Sequence, residues 1–203
     1  LARSPSARSS TSKVDVAARP SAALAARRRA RRLYSSAEVV RAIRRMVAGA
    51  TSRLKHANPV VLAVMHGGVF TAAEMCRRFT FPHEFDYVHV TRYGGGVAPG
   101  ELTWRVRPSA RLKGRTVLVV DDILDRGHTL RALHAELKRV GVAKQYTAAL
   151  VVKRVANAGR RPQIDFAGVT VDDVYVFGCG MDYHGYWREL RSLYAIDESA
   201  AHE

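Results

Sequence analysis

One stretch constrains the fold of this chain more than any other: residues 117–130, VLVVDDILDRGHTL. Four consecutive branched apolar residues read as a strand buried on both faces, which is how strands of a parallel sheet look. Asp121 and Asp122 follow at its carboxyl end, and Asp125-Arg126-Gly127-His128-Thr129 then turns into a helix that Gly141 stops. A strand, an acidic end, a glycine turn and a helix in that order imply α/β layering. In such sheets ligands collect at the carboxyl ends of the strands.

The flanking sequence has the same texture. Ser35 and Glu38 have capping-box spacing, each able to satisfy an orphan backbone N–H of the other's turn. Val39, Ile43, Met46, Val47, Ala50 and Leu54 then share one helical face, with Arg41, Arg44 and Arg45 on the solvated side. Asn58-Pro59 ends the pattern, because a residue before proline is biased away from helix. Strands are expected at 60–65, 85–91, 102–106, 116–120, 146–152 and 174–177. Helices are expected from Gly67-Gly68 to about Phe79 and over 129–140. The expected fold class is α/β, a mostly parallel twisted sheet with helices on both faces, formed by residues 35–203.

Residues 1–34 read differently, as a basic, irregular N-terminal extension. Residues 1–58 carry 14 of the 33 Lys/Arg and only two acids, Asp15 and Glu38, for a net of +12; the remainder nets only +3. No apolar core of a secretory signal is visible, and Arg/Ser-rich, acid-poor composition is that of organellar transit segments. A mitochondrial or other organellar matrix is therefore expected, with the cytoplasm as the alternative. The same charge would suit RNA or another polyanion bound through residues 1–58. No run approaches the ~20 apolar residues of a membrane span. Cys76 and Cys179 alone exclude a disulfide scaffold or a cysteine zinc site, and suit a reducing compartment.

The two halves of the 121–129 segment do different chemistry. The turn from Asp125 to Thr129 opens a helix, where unpaired backbone N–H groups and the helix dipole favour a phosphate. Gly127 permits the turn, and the Thr129 hydroxyl adds a donor. The carboxylates of Asp121 and Asp122 would repel phosphate and fit hydroxyl groups. A ligand with ribose hydroxyls at one end and a 5′-phosphate at the other satisfies both halves. The absence of Gly-Lys-Ser/Thr excludes a Walker A loop.

At these residues the chain resembles the type I phosphoribosyltransferases, and beyond them the hypoxanthine-guanine branch. Supporting stretches are VVLAVMHGGVF (60–70), FDYVHVTRYGGG (85–96), GELTWRVRP (100–108), LVVKR (150–154) and VYVFGCGMDYHGYWREL (174–190). The resemblance covers about residues 35–198 in motif order. It implies transfer of phosphoribosyl from phosphoribosyl pyrophosphate to N9 of a 6-oxopurine through an oxocarbenium-like transition state, with Mg2+ required. It further implies that Asp121 and Asp122 hold the ribose hydroxyls and serve the metal, and that Asp125 is the base near purine N7. Asp125, Arg126, Gly127, His128 and Thr129 would take the 5′-phosphate. His66 and Gly67 would form a pyrophosphate loop with a strained, often cis, peptide, and Arg188 would bind pyrophosphate. Lys153 would donate to purine O6, Tyr175 stack on the base, and the Val176 backbone read its edge. Asp182 would reach magnesium, and Arg92-Tyr93 would belong to a mobile loop closing over the site.

Three positions depart from the resemblance. His66 stands where many relatives carry lysine, Arg126 where an acidic or small residue is usual, and His128 where backbone matters most. The acids, the lysine and Arg188 all remain, which favours a purine salvage enzyme. The alternative from another class is the same fold recruited as a structural subunit of an organellar ribonucleoprotein or other large assembly through its basic extension. A phosphoribosyltransferase-fold RNA regulator has less support, because the purine-site residues are present. A homo-oligomer is a family expectation only. The order of preference among hypoxanthine, guanine and xanthine is not encoded in these residues.

Overall fold

The structure, a computed structural model, describes residues 19–91, 103–108, 110–156, 159 and 161–196. Its elements in chain order are α1 (Arg19–Arg29), β1 (Arg31–Tyr34), α2 (Ser36–Leu54), β2 (Val60–Met65), α3 (Gly68–Cys76), β3 (Glu84–Thr91) and β4 (Thr103–Val106). They continue with β5 (Thr116–Leu124), α4 (His128–Val140), β6 (Lys144–Arg154), β7 (Phe166–Asp172), β8 (Tyr175–Phe177) and β9 (Leu193–Ile196). Arg92 and Tyr93, assigned to a mobile loop by the resemblance, lie outside the described residues, as do residues 1–18.

Alternation along the strands decides what packs where. Val60, Leu62 and Val64 of β2 and Val117 and Val119 of β5 share a core with Leu130, Leu133 and Leu137 of α4. The intervening Val61, Ala63, Leu118 and Val120 share another with Val39, Ile43 and Met46 of α2 and Met75 of α3. Period two therefore gives the sheet two apolar faces, and helices cover both. Each such side chain contributes roughly 1.5–3 kcal/mol by leaving water, so neither layer is optional. Six strands pair in the order β4-β3-β2-β5-β6-β7. Only the β3–β4 pair is antiparallel. The expected fold class holds.

This order has one reversal. From β2 the chain moves outward to β3 and β4, then returns to lay β5 on the other flank of β2. The crevice between the ends of β2 and β5 is thus the switch point at which such sheets bind ligands. β5 runs beyond its apolar stretch: Asp121 pairs with Ala149, and Ile123 and Leu124 with Val151 and Val152 of β6. Asp121 and Asp122 therefore belong to a strand. Upstream, the Ser35–Glu38 capping box of α2 forms as expected, with Ser35 N–H donating to Glu38 Oε2 at 2.8 Å.

A second, antiparallel sheet, β1-β9-β8, overturns the expected domain boundary. Residues 19–34 are not an irregular extension; they form α1 and β1, and β1 pairs with β9. Ala23 and Ala26 are buried, Ala26 against Phe177, Tyr183, Tyr194 and Ile196. Trp187 Nε1 donates to the Ala23 carbonyl at 2.9 Å. The Arg27 guanidinium lies 3.8 Å over the Tyr194 ring. An alanine face makes contact by being small, so it leaves no large apolar stripe to be read in sequence. No described helix is long and apolar enough to cross a membrane.

A chain starting at residue 35 should therefore melt below one starting at residue 19. Losing α1 and β1 uncovers several large side chains, at roughly 1.5–3 kcal/mol each. For a chain of this size about 1 kcal/mol shifts the melting temperature by ~2–4 °C. A fall of at least about 5 °C is expected by circular dichroism for the shorter chain. Equal melting of both truncations would show that residues 19–34 contribute nothing to the fold.

Candidate active site

β2 and β5 end side by side, in the register Ala63↔Val120, so the loop leaving β2 crosses the last residues of β5. The Met65–His66 peptide in that loop is cis, as the resemblance implied. The crossing leaves no room for a side chain. A Cβ on Gly67 would lie 1.6 Å from Asp122 Oδ2, and one on Gly68 would lie 2.5 Å from the Val120 carbonyl oxygen. Two glycines are thus required by close approach. The His66 ring packs edge-on against His89 of β3, with centroids 4.5 Å apart.

Asp121 is buried, and the Asp122 N–H donates to its Oδ1 at 3.0 Å. Desolvation pushes the Asp122 carboxyl above its ordinary range; hydrogen bonding from Asp121 and the nearby Arg188 charge oppose the shift without cancelling it. Beyond β5, Gly127 takes the left-handed conformation (φ 75°) and opens α4. A Cβ there would also strike Pro162 Cδ at 2.5 Å. The first turn of α4 supplies the unpaired N–H groups that favour a phosphate. His128 is exposed and its Nδ1 contacts Arg131, so the ring is directed at its own helix.

Arg188 ties this region to the second sheet. Its Nη1 donates to the Gly180 carbonyl and its Nη2 meets Asp182 Oδ1, both at 2.6 Å. Asp182 Oδ2 accepts from the Gly185 N–H at 2.7 Å. Tyr175 donates from its hydroxyl to the Asp182 carbonyl at 3.0 Å, and its ring meets Tyr183 edge-on. Val176 is buried on β8 opposite Ala195.

A cavity of about 280 Å³ at the switch point is lined by His66, Gly67, Asp121, Asp122, Asp125, Gly127, His128, Thr129 and Arg188. Nine of the expected residues therefore converge. Lys153, Tyr175, Val176, Asp182 and Arg126 are not in that lining. Lys153 sits at the end of β6, its ammonium 3.3 Å from Asp173. Arg126 is exposed. A larger concavity, about 1210 Å³, lies along α2 and α3 and includes Arg41, Arg44, Arg77 and Arg78. Helices α2 and α3 supply most of its lining and none of the expected acids reaches it, so the smaller cavity is the one that gathers the expected residues.

Three residues of this region were not legible in sequence. Gly180 lies so close to the Gly67 carbonyl that a Cβ would approach to 2.3 Å. Asp173 pairs with Lys153. Arg161 donates from one nitrogen to the Asp125 and Lys153 carbonyls, at 3.1 and 2.7 Å. Gly180 falls within GCGMDY, a cue to a tight segment; nothing in the spacing of the other two points to their partners.

Comparison with known proteins agrees with this geometry. The model of the phosphoribosyl transferase domain family matches residues 30–184. The chain is 31% identical over 167 residues to the hypoxanthine-guanine-xanthine phosphoribosyltransferase of Tritrichomonas foetus, covering 82% of this chain and 91% of that one. It is 30% identical over 161 residues to the hypoxanthine-guanine phosphoribosyltransferase of Lactococcus lactis, covering 78% and 86%. A solved hypoxanthine-guanine-xanthine phosphoribosyltransferase superposes with a TM-score of 0.75 at 28% identity, covering 82% and 96%.

The raised Asp122 carboxyl generates a prediction about stability. An acid whose folded pKa is raised contributes its full stability below the unfolded value and loses it as pH rises through the folded one. Asp122→Asn should therefore melt with the wild type in acid and above it at neutral pH, while weakening ligand binding. Melting curves across a pH series check this. An Asn variant less stable than wild type at neutral pH would contradict the upward shift of the Asp122 carboxyl.

Proposed function

The chain belongs to the phosphoribosyltransferase family, and within it we propose that it is a purine salvage enzyme acting on hypoxanthine and guanine. It moves the phosphoribosyl group of 5-phosphoribosyl 1-pyrophosphate to N9 of the base, releasing pyrophosphate. The observation that carries this reading is the convergence of a glycine-containing loop, paired carboxylates, a helix N-terminus and an arginine on one cavity. That set matches, end for end, a ligand with pyrophosphate, ribose hydroxyls and a 5′-phosphate.

The roles follow from the chemistry of each group. The Gly127–Thr129 turn receives the 5′-phosphate, and Asp121 and Asp122 accept hydrogen bonds from the ribose hydroxyls. The 66–67 backbone and Arg188 bind the pyrophosphate oxygens, for which a planar guanidinium is suited. As C1′ separates from pyrophosphate oxygen, N9 forms the new bond. The proton leaves N7 for the Asp125 carboxylate, so the base ends neutral and pyrophosphate carries away the bonding pair. Lys153 donates to O6, which selects 6-oxopurines over adenine, whose amino group offers no acceptor there. Tyr175 presents a ring to the base, and the Val176 backbone reads its edge.

Magnesium fits this donor set as a companion of the substrate. Among the described residues no three His, Cys, Asp or Glu form a cage, and magnesium with phosphate substrates typically relies on one or two carboxylates plus substrate oxygens. Asp121, Asp122 and Asp182 would face it, and the ion would neutralise the leaving pyrophosphate.

The recruited-subunit alternative relied on the basic extension, but its described part, residues 19–34, packs into the fold, and no described feature favours RNA. A pyrophosphate-release assay with hypoxanthine, guanine, xanthine and adenine tests the reading directly; no turnover with any 6-oxopurine would overturn it.

Two substitutions test the roles. Asp125→Asn should lower kcat by about 10²–10⁴, the usual effect of removing a general base, with the KM for phosphoribosyl pyrophosphate nearly unchanged. Wild-type turnover on guanine would remove Asp125 from the mechanism. Lys153→Ala should lower kcat/KM for both 6-oxopurines by roughly 10- to 100-fold, since a charged hydrogen-bond donor contributes about 1.5–3 kcal/mol. Unchanged kinetics with both bases would show that another group reads O6.

A further inference from the structure

Resting on the functional reading above, we infer that Arg161 is a positioning residue that holds the proton acceptor Asp125 and the base reader Lys153 at a fixed separation. The β5–β6 ladder ends at the Leu124↔Val152 pair. Asp125 and Lys153 are the next residues of the two chains, and β5 itself stops at Leu124. Arg161 takes over where the regular pairing of β5 with β6 ends. Its Nη1 carries two hydrogens and directs them at two carbonyls, 3.1 Å to Asp125 and 2.7 Å to Lys153. The following residue braces the same turn: a Cβ on Gly127 would meet Pro162 Cδ at 2.5 Å and Leu124 Cδ1 at 3.2 Å. The 161–162 segment therefore clamps the β5–α4 loop from outside the sheet.

The chemistry needs such a clamp. O6 and N7 are neighbours on one edge of a 6-oxopurine, so the lysine that binds O6 and the carboxylate that takes the N7 proton must keep step. The carboxylate side chain projects from a loop, whereas the lysine projects from a strand. Without a bridge the two would drift independently, and a misplacement of ~1 Å can lower a rate about 10²-fold. A guanidinium suits this bridge because one planar group serves two acceptors; the compact ammonium of lysine directs its donors less rigidly.

Steady-state kinetics of Arg161→Ala, Arg161→Lys, Asp125→Asn and the Arg161→Ala/Asp125→Asn double variant test the inference, with melting temperatures as the folding control. Arg161→Ala should lower kcat/KM for hypoxanthine and guanine by about 10- to 100-fold, through both kcat and purine KM. The KM for phosphoribosyl pyrophosphate should stay within about twofold, and Arg161→Lys should recover only part of the loss. In the Asp125→Asn background the Arg161→Ala effect on kcat should shrink to about twofold or less, because the group it positions is already gone. An equal kcat loss in both backgrounds, or full activity in Arg161→Ala, would overturn the inference. The second outcome leaves the functional reading intact, whereas a wild type that forms no nucleotide from any 6-oxopurine overturns both.

Discussion

The Gly67 backbone lies directly on the Asp122 carboxylate, and the site is arranged around that close approach. It stacks three pieces of chain without intervening side chains: β5 below, the β2–α3 loop in the middle, and the 178–181 segment above, where Gly180 approaches the Gly67 carbonyl. Arg188 closes the stack by donating to the Gly180 carbonyl and pairing with Asp182. A side chain at position 67 or 180 would separate the layers and move the loop off the strand end. The small antiparallel sheet is thus placed over the parallel one by backbone contact, and the residues it carries inherit their position from that contact.

Asp122 is disfavoured as an anion because it lies beneath the loop, and only partly relieved by Asp121 and Arg188. The site sets the Asp121 and Asp122 carboxylates on one side and the N-terminal turn of α4 on the other. In the proposed function a sugar phosphate serves both sides at once, its hydroxyls meeting the acids and its phosphate the amides.

Local pattern made most of the parallel sheet legible. β2 and β5 are continuous apolar runs, and Ser35 with Glu38 marks the start of α2. β7 was missed because Gly168 interrupts its alternation, and β9 because Leu193–Ile196 is a short apolar run with no turn signal of its own. Asp121 and Asp122 were read at a strand end, yet β5 carries on through them, because pairing with β6 outweighs their poor strand propensity. At the site, the acids and the glycine turn of residues 121–129 were legible by type and spacing, and the other expected residues only through the resemblance. Residues that act by holding others, such as Asp173 behind Lys153 and Arg161 behind Asp125, were not. Their partners are distant in sequence, or are backbone carbonyls that every residue carries.

The basic N-terminus shows the same limit from the opposite side. A net of +12 over residues 1–58 invites a polyanion, because composition counts charges. The fold uses two of these arginines, one as a planar surface and one as a donor. Arg27 lies on Tyr194 and Arg45 donates to the Gly168 carbonyl at 3.2 Å. Elsewhere Arg115 donates to the Asn58 carbonyl at 3.0 Å while pairing with Glu84, and Arg161 spans two carbonyls. Guanidinium serves these uses because it bonds carbonyl oxygens in plane and is weakly enough hydrated to lie on an aromatic ring. A carbonyl neutralises nothing, so each such arginine still counts as a full charge in composition while it performs a structural task. Composition therefore counts the charge of this segment without showing its structural tasks, and α1 has a place of its own in the fold, where Ala26 packs against Phe177 and Tyr194.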